Sequence, residues 1–474
     1  MQIATQMKQQ ILSGEIAAGS TLPSERSLAQ RLGVHRNTVV KAYAELKAEE
    51  LIESRQGVGY VVILPEISPF GGREKKVYWN GQIRDEYVDM EVTFDDLFQR
   101  FDDENIISLG SGLATTEIYN KERIAEDIAR FITEEGKNQY FYSPYQGDKV
   151  LRQKIASYLS TKGIRATTGE IQILAESNQA LDFIVELLLK PGDTVLMEEP
   201  VSPDVYRTVE LAGGKVVTIP MDQDGICCDC LEELVLHHKP RFLYVNSSFH
   251  DPTGAILSQE RRKWIVDISR RHGLIVVEDD AASELVYSGA KLPPLKAYDT
   301  LNNVIYIYSF SMTFMPGLSL AFVVGDRNLI RSISYLVSVR MMAGDWLAQK
   351  LAAKYLGDGS YYQALELFRD SYALKQDLLC RKLDEMRGLG VDYVRPRGGV
   401  YVWVKLPESV DSRELVTRAY HDGVAILPGY VFYPHKNGGR NHIRLNYSYE
   451  SAENILEGMD RLQAAIEWLL AHKK

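Results

Sequence analysis

A chain of 474 residues is too long for one compact core and points to two or three folded units. Hydrophobic residues make up 45% and charged residues 25%, the balance of a folded globular protein, which excludes wholesale disorder. Residues 1–62 hold seven Lys/Arg against six Asp/Glu, a balance of +1, so the net charge of −10 lies in the remainder, at −11. Any nucleic-acid surface must then be confined to the first segment, where locally placed cations can displace counterions.

No run of 18 uncharged apolar residues is present, so the sequence gives no support for a membrane span. The polar N-terminus lacks the apolar core and small-residue cleavage site of a secretion signal. Four cysteines in so long a chain make no disulfide framework. These features predict a cytoplasmic protein without a membrane partner.

Ile3, Met7 and Ile11 recur at helical spacing, and Gly14 is a plausible stop. Ser24 can cap a short helix with Leu28 and Leu32 on its buried edge, and Gly33 can end it. A second helix is predicted from about His35 to Ala48, with Val39, Tyr43 and Leu46 on one face and Asn37, Thr38, Lys41 and Glu45 on the other. Two helices joined by a tight glycine turn form a helix-turn-helix pattern. Two β-type stretches, Leu51–Glu53 and Tyr60–Ile63, flank Arg55-Gln56-Gly57-Val58-Gly59 and read as a wing.

Leu22–Ala29, Leu32–Val39 and Ala42–Leu46 carry Leu-Pro-Ser-x-Arg-x-Leu-Ala, Leu-Gly-Val-x-Arg-x-Thr-Val and Ala-Tyr-x-x-Leu. On these pieces the segment resembles the GntR family of winged helix-turn-helix repressors. The resemblance implies double-stranded DNA as partner. It places Arg26, Arg36, Asn37, Thr38 and Lys41 toward DNA, with Gly57 and Gly59 letting the wing approach the minor groove. His35 departs from the family's serine cap, so the recognition helix is expected to start slightly differently. Glu45, Glu49 and Glu50 would repel phosphates and read as solvated surface.

From Leu64 to about Asn105, Pro65, Pro69, Gly71, Gly72 and a basic Arg73–Lys76 patch suggest an interdomain linker, within which Phe94, Leu97, Phe98 and Phe101 have helical spacing. Beyond it, apolar runs at Ile171–Leu174, Thr194–Met197, Lys215–Ile219, Phe242–Val245, Leu274–Val277, Val304–Tyr308 and Ala321–Val324 alternate with amphipathic helices. That alternation predicts a doubly wound α/β sheet. A helix over 359–386, a strand Gly399–Lys405 and a closing helix over 450–470 predict a smaller α+β lobe. Cys227, Cys228 and Cys230 lack the spaced partners of a tetrahedral zinc site and read as ordinary residues before a helix. The expected organisation is multidomain: a winged helix-turn-helix over 1–63, a linker over 64–104, and an α/β unit over 105–474.

The last unit carries Lys190-Pro191-Gly192-Asp193, Asp251-Pro252-Thr253-Gly254, Glu278-Asp279-Asp280, Ser309-Phe310-Ser311, Pro316-Gly317-Leu318 and Ile443-Arg444-Leu445. Over about 360 residues these resemble fold-type I aminotransferases, and with the fused N-terminus they resemble the MocR subgroup of GntR regulators. The family cofactor is pyridoxal phosphate. The lysine that holds it as a Schiff base should follow Ser-Phe-Ser, but the residue is Met312, and a thioether forms no imine. The phosphate-binding arginine is replaced by Ser319, and the glycine before Ser177-Asn178 by Glu176, although the helix starting there still offers amide donors. A carboxylate about 4 Å from a phosphate costs on the order of 4 kcal/mol at an effective dielectric of 20, if it faces inward. The stacking aromatic is Ser202, the residue touching the phenolic oxygen is Asp251, and the expected tyrosine is Ala281.

Two anchors remain by resemblance: Asp279 for the pyridine nitrogen and Arg444 for a substrate α-carboxylate. The plainer readings are a structural carboxylate and a structural salt bridge. No cofactor is predicted; covalent attachment at position 312 is excluded, and weak non-covalent retention through Asp279 stays open. The leading expectation is a DNA-binding regulator and homodimer without transaminase activity, whose large domain senses a small amine or amino acid. There the ammonium would meet Glu176, Asp251, Asp279 and Asp280, a carboxylate would meet Arg444, and Met312, Phe314 and Met315 would supply apolar bulk. The alternatives are a pyridoxal phosphate enzyme with a fused DNA-binding module, and an architectural regulator whose large domain only dimerises.

Overall fold

The chain divides into two compact units, Met1–Asp89 and Met90–Lys474. The computed structural model describes residues 2–13, 16–17, 19–49, 51–55, 59–63, 103, 105–115, 118, 120–134 and 142–472. Apart from Asp103, the expected linker over 64–104 lies outside the described residues, as does the helical pattern from Phe94 to Phe101.

The first unit contains α1 (Gln2–Ser13), α2 (Glu25–Leu32) and α3 (Arg36–Ala48), followed by β1 (Ile52–Arg55) and β2 (Gly59–Val62). Ser24 caps α2 by accepting from the Ser27 amide at 3.2 Å, and Gly33 ends it in a left-handed turn with φ 66°. His35 takes the cap of α3: its Nδ1 accepts from the Asn37 amide at 3.3 Å, so the helix begins at Arg36. The strands pair antiparallel from Ile52↔Val62 to Arg55↔Gly59, and Thr21 bridges to Val61. Met7, Leu22, Leu28, Val39, Tyr43, Leu46, Ile52 and Val62 form one core, whereas Leu32, expected on the buried edge of α2, is 49% exposed in the last turn before Gly33. The buried Tyr43 hydroxyl donates to the Pro23 carbonyl at 2.7 Å, which satisfies its polar end.

In the second unit β3 (Ile107–Ser108) precedes an eight-stranded sheet made from β4 (Ile171–Leu174), β5 (Thr194–Glu199), β6 (Lys215–Asp222), β7 (Gly225–Ile226), β8 (Phe242–Asn246), β9 (Ile275–Asp279), β10 (Val304–Ser309) and β11 (Ala321–Val324). The strand order is β4-β11-β10-β9-β8-β5-β6-β7. Strands β6, β5, β8, β9 and β10 run parallel, β11 is antiparallel to both neighbours, and β7 is a hairpin return. The central runs are apolar throughout because parallel sheets are covered on both faces; β10 is buried at every position. Since β11 reverses twice, the carboxyl ends of β4, β5, β8, β9 and β10 share one edge, where open α/β sheets place their ligand sites.

A smaller sheet combines β12 (Asp392–Tyr393), β13 (Tyr401–Lys405), β15 (Leu427–Pro428) and β16 (His442–Asn446), while β14 (Val424–Ala425) pairs with β3. The long helices Ser360–Glu385 and Ala452–His472 pack against each other, completing the expected α+β lobe. Cys227, Cys228 and Cys230 sit around a single 3₁₀ turn before the helix Leu231–His238.

Candidate DNA-facing helix and ligand pocket

Arg26 on α2 and Arg36, Asn37, Thr38 and Lys41 on α3 are all exposed, so the polar face expected to meet DNA is free of the core. Arg36 is partnered by Glu25 at the start of α2, with Nη2–Oε2 at 2.8 Å and Nε–Oε2 at 3.3 Å. The sequence reading did not find this partner, which lies eleven residues away and is brought near by the turn at Gly33. A surface pair of this kind is weak, so a phosphate or base edge can compete for the guanidinium. Gly59 has φ 103°, a conformation that favours glycine locally. Gly57 lies outside the described residues.

Several of the expected pocket residues lie near the shared strand edge. Glu176 directly precedes the helix Ser177–Leu188, which follows β4. Its carboxylate accepts from Ser309 Oγ at 3.0 Å and Ser311 Oγ at 2.6 Å, at the end of β10. Glu176 therefore faces inward, into the space between a helix N-terminus and two serine hydroxyls. Ser177 is half-buried at the helix start, and Asn178 beside it is exposed. Ser319 sits exposed in a left-handed turn with φ 44°, its amide donating to Pro316. Met312 is half-buried and packs on the main core beside Met315.

Asp279 ends β9, where its carboxylate accepts from the Tyr244 hydroxyl at 3.0 Å and the Ala281 amide at 3.2 Å. Burial pushes its pKa up to about 6. Glu198, near the end of β5, accepts from the Asn246 amide at 2.7 Å, while its other oxygen has no partner among the described residues. Burial, reinforced by the Asp279 charge, moves Glu198 to about 8. Asn246 links the acids: its side chain accepts from the Asp251 amide at 2.8 Å and donates to the Asp279 carbonyl at 3.0 Å. A strand-end asparagine gives no sequence signal for such a role.

Three expectations need correction. Arg444 is not free for a ligand carboxylate: Nη1 contacts both oxygens of Asp251, at 2.8 and 3.0 Å, and Nη2 donates to the Gly110 carbonyl. A buried guanidinium in an apolar setting requires such a partner, and the Tyr401 and Phe432 rings lie 4.2 and 5.3 Å away. Asp280 does not join the pocket acids. Successive side chains leave a strand on opposite faces, and Asp280 instead accepts from buried Lys162 at 3.0 Å and Tyr306 at 2.8 Å. Phe314 is core, 2% exposed and ringed by Phe310, Tyr355 and Tyr361, so it forms no pocket wall.

Lys162 is a further group the sequence did not reveal. Its ammonium is enclosed by Asp280, Ser283 and Tyr306, and lies 4.6 Å from the Tyr308 ring centre. The acids Asp280 and Glu284 hold its pKa above the ordinary lysine value despite burial.

The bacterial gntR regulatory family model matches residues 1–62, and the model of class I and II aminotransferases matches residues 104–462. The uncharacterized HTH-type transcriptional regulator YdfD of Bacillus subtilis is 30% identical over 474 residues, covering 99% of this chain and 96% of its own. A 2-aminoadipate transaminase of Thermus thermophilus is 35% identical over 369 residues, 77% of this chain and 91% of its own. Among solved structures, the α-aminoadipate aminotransferase LysN from Thermus thermophilus, complexed with N-(5'-phosphopyridoxyl)-L-leucine, superposes with a TM-score of 0.76 at 33% identity. It covers 83% of this chain and 100% of its own. With an exposed helix-turn-helix in its first unit and the strand-edge site of an aminotransferase fold in its second, the chain belongs to the MocR-type family, in which a gntR DNA-binding unit is fused to a class I and II aminotransferase domain.

Proposed function

We propose that this regulator binds its operator through α3 and the wing, and that its aminotransferase-like domain is not catalytic. The observation that carries this reading is Met312, a thioether at the position the resemblance gives to the Schiff-base lysine. The pocket also fits pyridoxal phosphate poorly. Glu176 holds the hydroxyls of Ser309 and Ser311 beside the helix N-terminus, setting a like charge where a phosphate would lie. Ser319 adds no cation there.

The proposed organisation is a DNA-binding domain over 1–63, a linker over 64–104 and a dimerising effector domain over 105–474, in a cytoplasmic homodimer. The effector is a small amine or amino acid. Asp279 and Glu176 attract an ammonium, while Asp251 is neutralised by Arg444, so that a ligand carboxylate has to compete with Asp251. The reading as an enzyme with a fused DNA-binding unit draws on the 35% identity to a transaminase, but it needs an amine that position 312 does not supply.

The test is a thermal-shift screen of amines and amino acids on wild type and Asp279→Asn, with operator binding measured for every hit. A compound that stabilises wild type, alters operator affinity and loses its effect in Asp279→Asn supports the sensor. A library that shifts nothing leaves a domain that only dimerises.

A further inference from the structure

Two sets of hydrogen-bond donors near the strand edge are each paired with a carboxylate of the chain itself. The first is built from the hydroxyls of Ser309 and Ser311 in front of the helix Ser177–Leu188. Both hydroxyls are directed onto Glu176, one at 2.6 Å, a length typical of a hydroxyl-to-carboxylate bond. The second is Arg444, whose side chain is 7% exposed and whose Nη1 is taken by both oxygens of Asp251. The Asp251 fit is incomplete: Arg444 Nε is buried with no partner among the described residues. The pair therefore lacks the two-pronged geometry that guanidinium and carboxylate adopt when free to do so. The structurally similar LysN chain was solved with a ligand that carries one phosphate and one carboxylate.

We infer that Glu176 and Asp251 are built-in anions, standing in for a phosphate and a carboxylate ligand, so that the site rejects a free phosphate and a carboxylate reaches Arg444 only by displacing Asp251. The inference concerns the site of the proposed effector but does not depend on any effector existing. Both seats are held by residues of the chain, whatever else binds.

The experiment uses the full chain with two simple probes, inorganic phosphate and formate, read by thermal melting and calorimetric titration. Wild type should respond to neither. Glu176→Gly frees two hydroxyls and removes a like charge, so phosphate affinity should rise by roughly tenfold to a thousandfold, the range one nearby charge can produce. Glu176→Gln removes the charge but still occupies the seat and its two hydroxyls, so phosphate cannot enter and its gain should be clearly smaller. Equal gains in the two variants would overturn the idea that the seat is filled. Asp251→Ala should melt lower than wild type, and formate, not chloride, should restore it through binding to the native state. Wild type binding phosphate as tightly as Glu176→Gly would refute the inference, as would Asp251→Ala ignoring formate. Neither measurement involves DNA or an effector, so failure here leaves the sensor reading to its own screen.

Discussion

Breaking the Arg444–Asp251 pair should be among the costlier single changes in the large domain. Asp251→Asn keeps the side-chain volume and removes the negative charge, leaving Arg444 with the Gly110 carbonyl as its other hydrogen-bond acceptor among the described residues. At a charge separation of about 4 Å and an effective dielectric of 20 the lost attraction is about 4 kcal/mol. Removing one partner of a buried pair costs about 3–5 kcal/mol in general. Arg444→Met should cost a similar amount, because Asp251 then faces Asp204 and Asp279 without its cation; both neighbours are electrostatically coupled to Asp251. The double variant should cost much less than the sum, with a coupling of about 2 kcal/mol or more. Calorimetry separates the large-domain transition from that of the small unit, and urea titration followed by tryptophan fluorescence checks it. Single-variant losses below about 1 kcal/mol would show the pair to be solvated like a surface bridge, and would refute its role as a sealed, internally compensated site.

Arg36→Ala should lose about 1–3 kcal/mol of operator binding and relax specificity in a competition gel-shift. Lys41→Ala, if it contacts phosphate, should weaken all sequences alike and lower the salt slope by about one. Glu198→Gln should change the pH dependence of stability. With its folded value at about 8, above that of a free glutamate, Glu198 favours the fold while protonated and loses that benefit as pH rises through about 8. The variant should therefore gain stability over wild type at pH 9, on the order of 3–5 kcal/mol, and little at pH 5, as read by urea denaturation at both values. Met312→Lys alone should not restore transamination, because Glu176 and Asp251 remain in place; measurable turnover in that single variant would contradict the inferred anion seats.

The strand runs of the large domain were legible because a sheet covered on both faces demands uninterrupted apolar segments, and β4, β10 and β11 fall within a residue of their predicted spans. The winged unit was legible through its caps: Ser24 and Gly33 mark α2 by their own chemistry. His35 departs from the family's serine cap, yet its ring nitrogen performs the task, a conformational choice that composition does not encode. At the pocket, the sequence identified which residues had changed but not where they point. Glu176 could equally have faced solvent, and its bonds to Ser309 and Ser311 join residues more than 130 positions apart. The Asp279/Asp280 division was available from strand alternation, but the partner that claims Asp280, Lys162, sits just past a helix end where a lysine ordinarily reads as solvated.

The most direct test of the claim that this regulator carries a non-catalytic aminotransferase domain is turnover. The purified full chain is incubated with pyridoxal phosphate, a panel of amino acids and a 2-oxo acid acceptor, and then reduced with borohydride and mapped by mass spectrometry. The expected result is a rate no higher than that of free cofactor and no stoichiometric lysine adduct within 105–474. Turnover above the free-cofactor rate, together with a single reduced lysine adduct in that range, would contradict it.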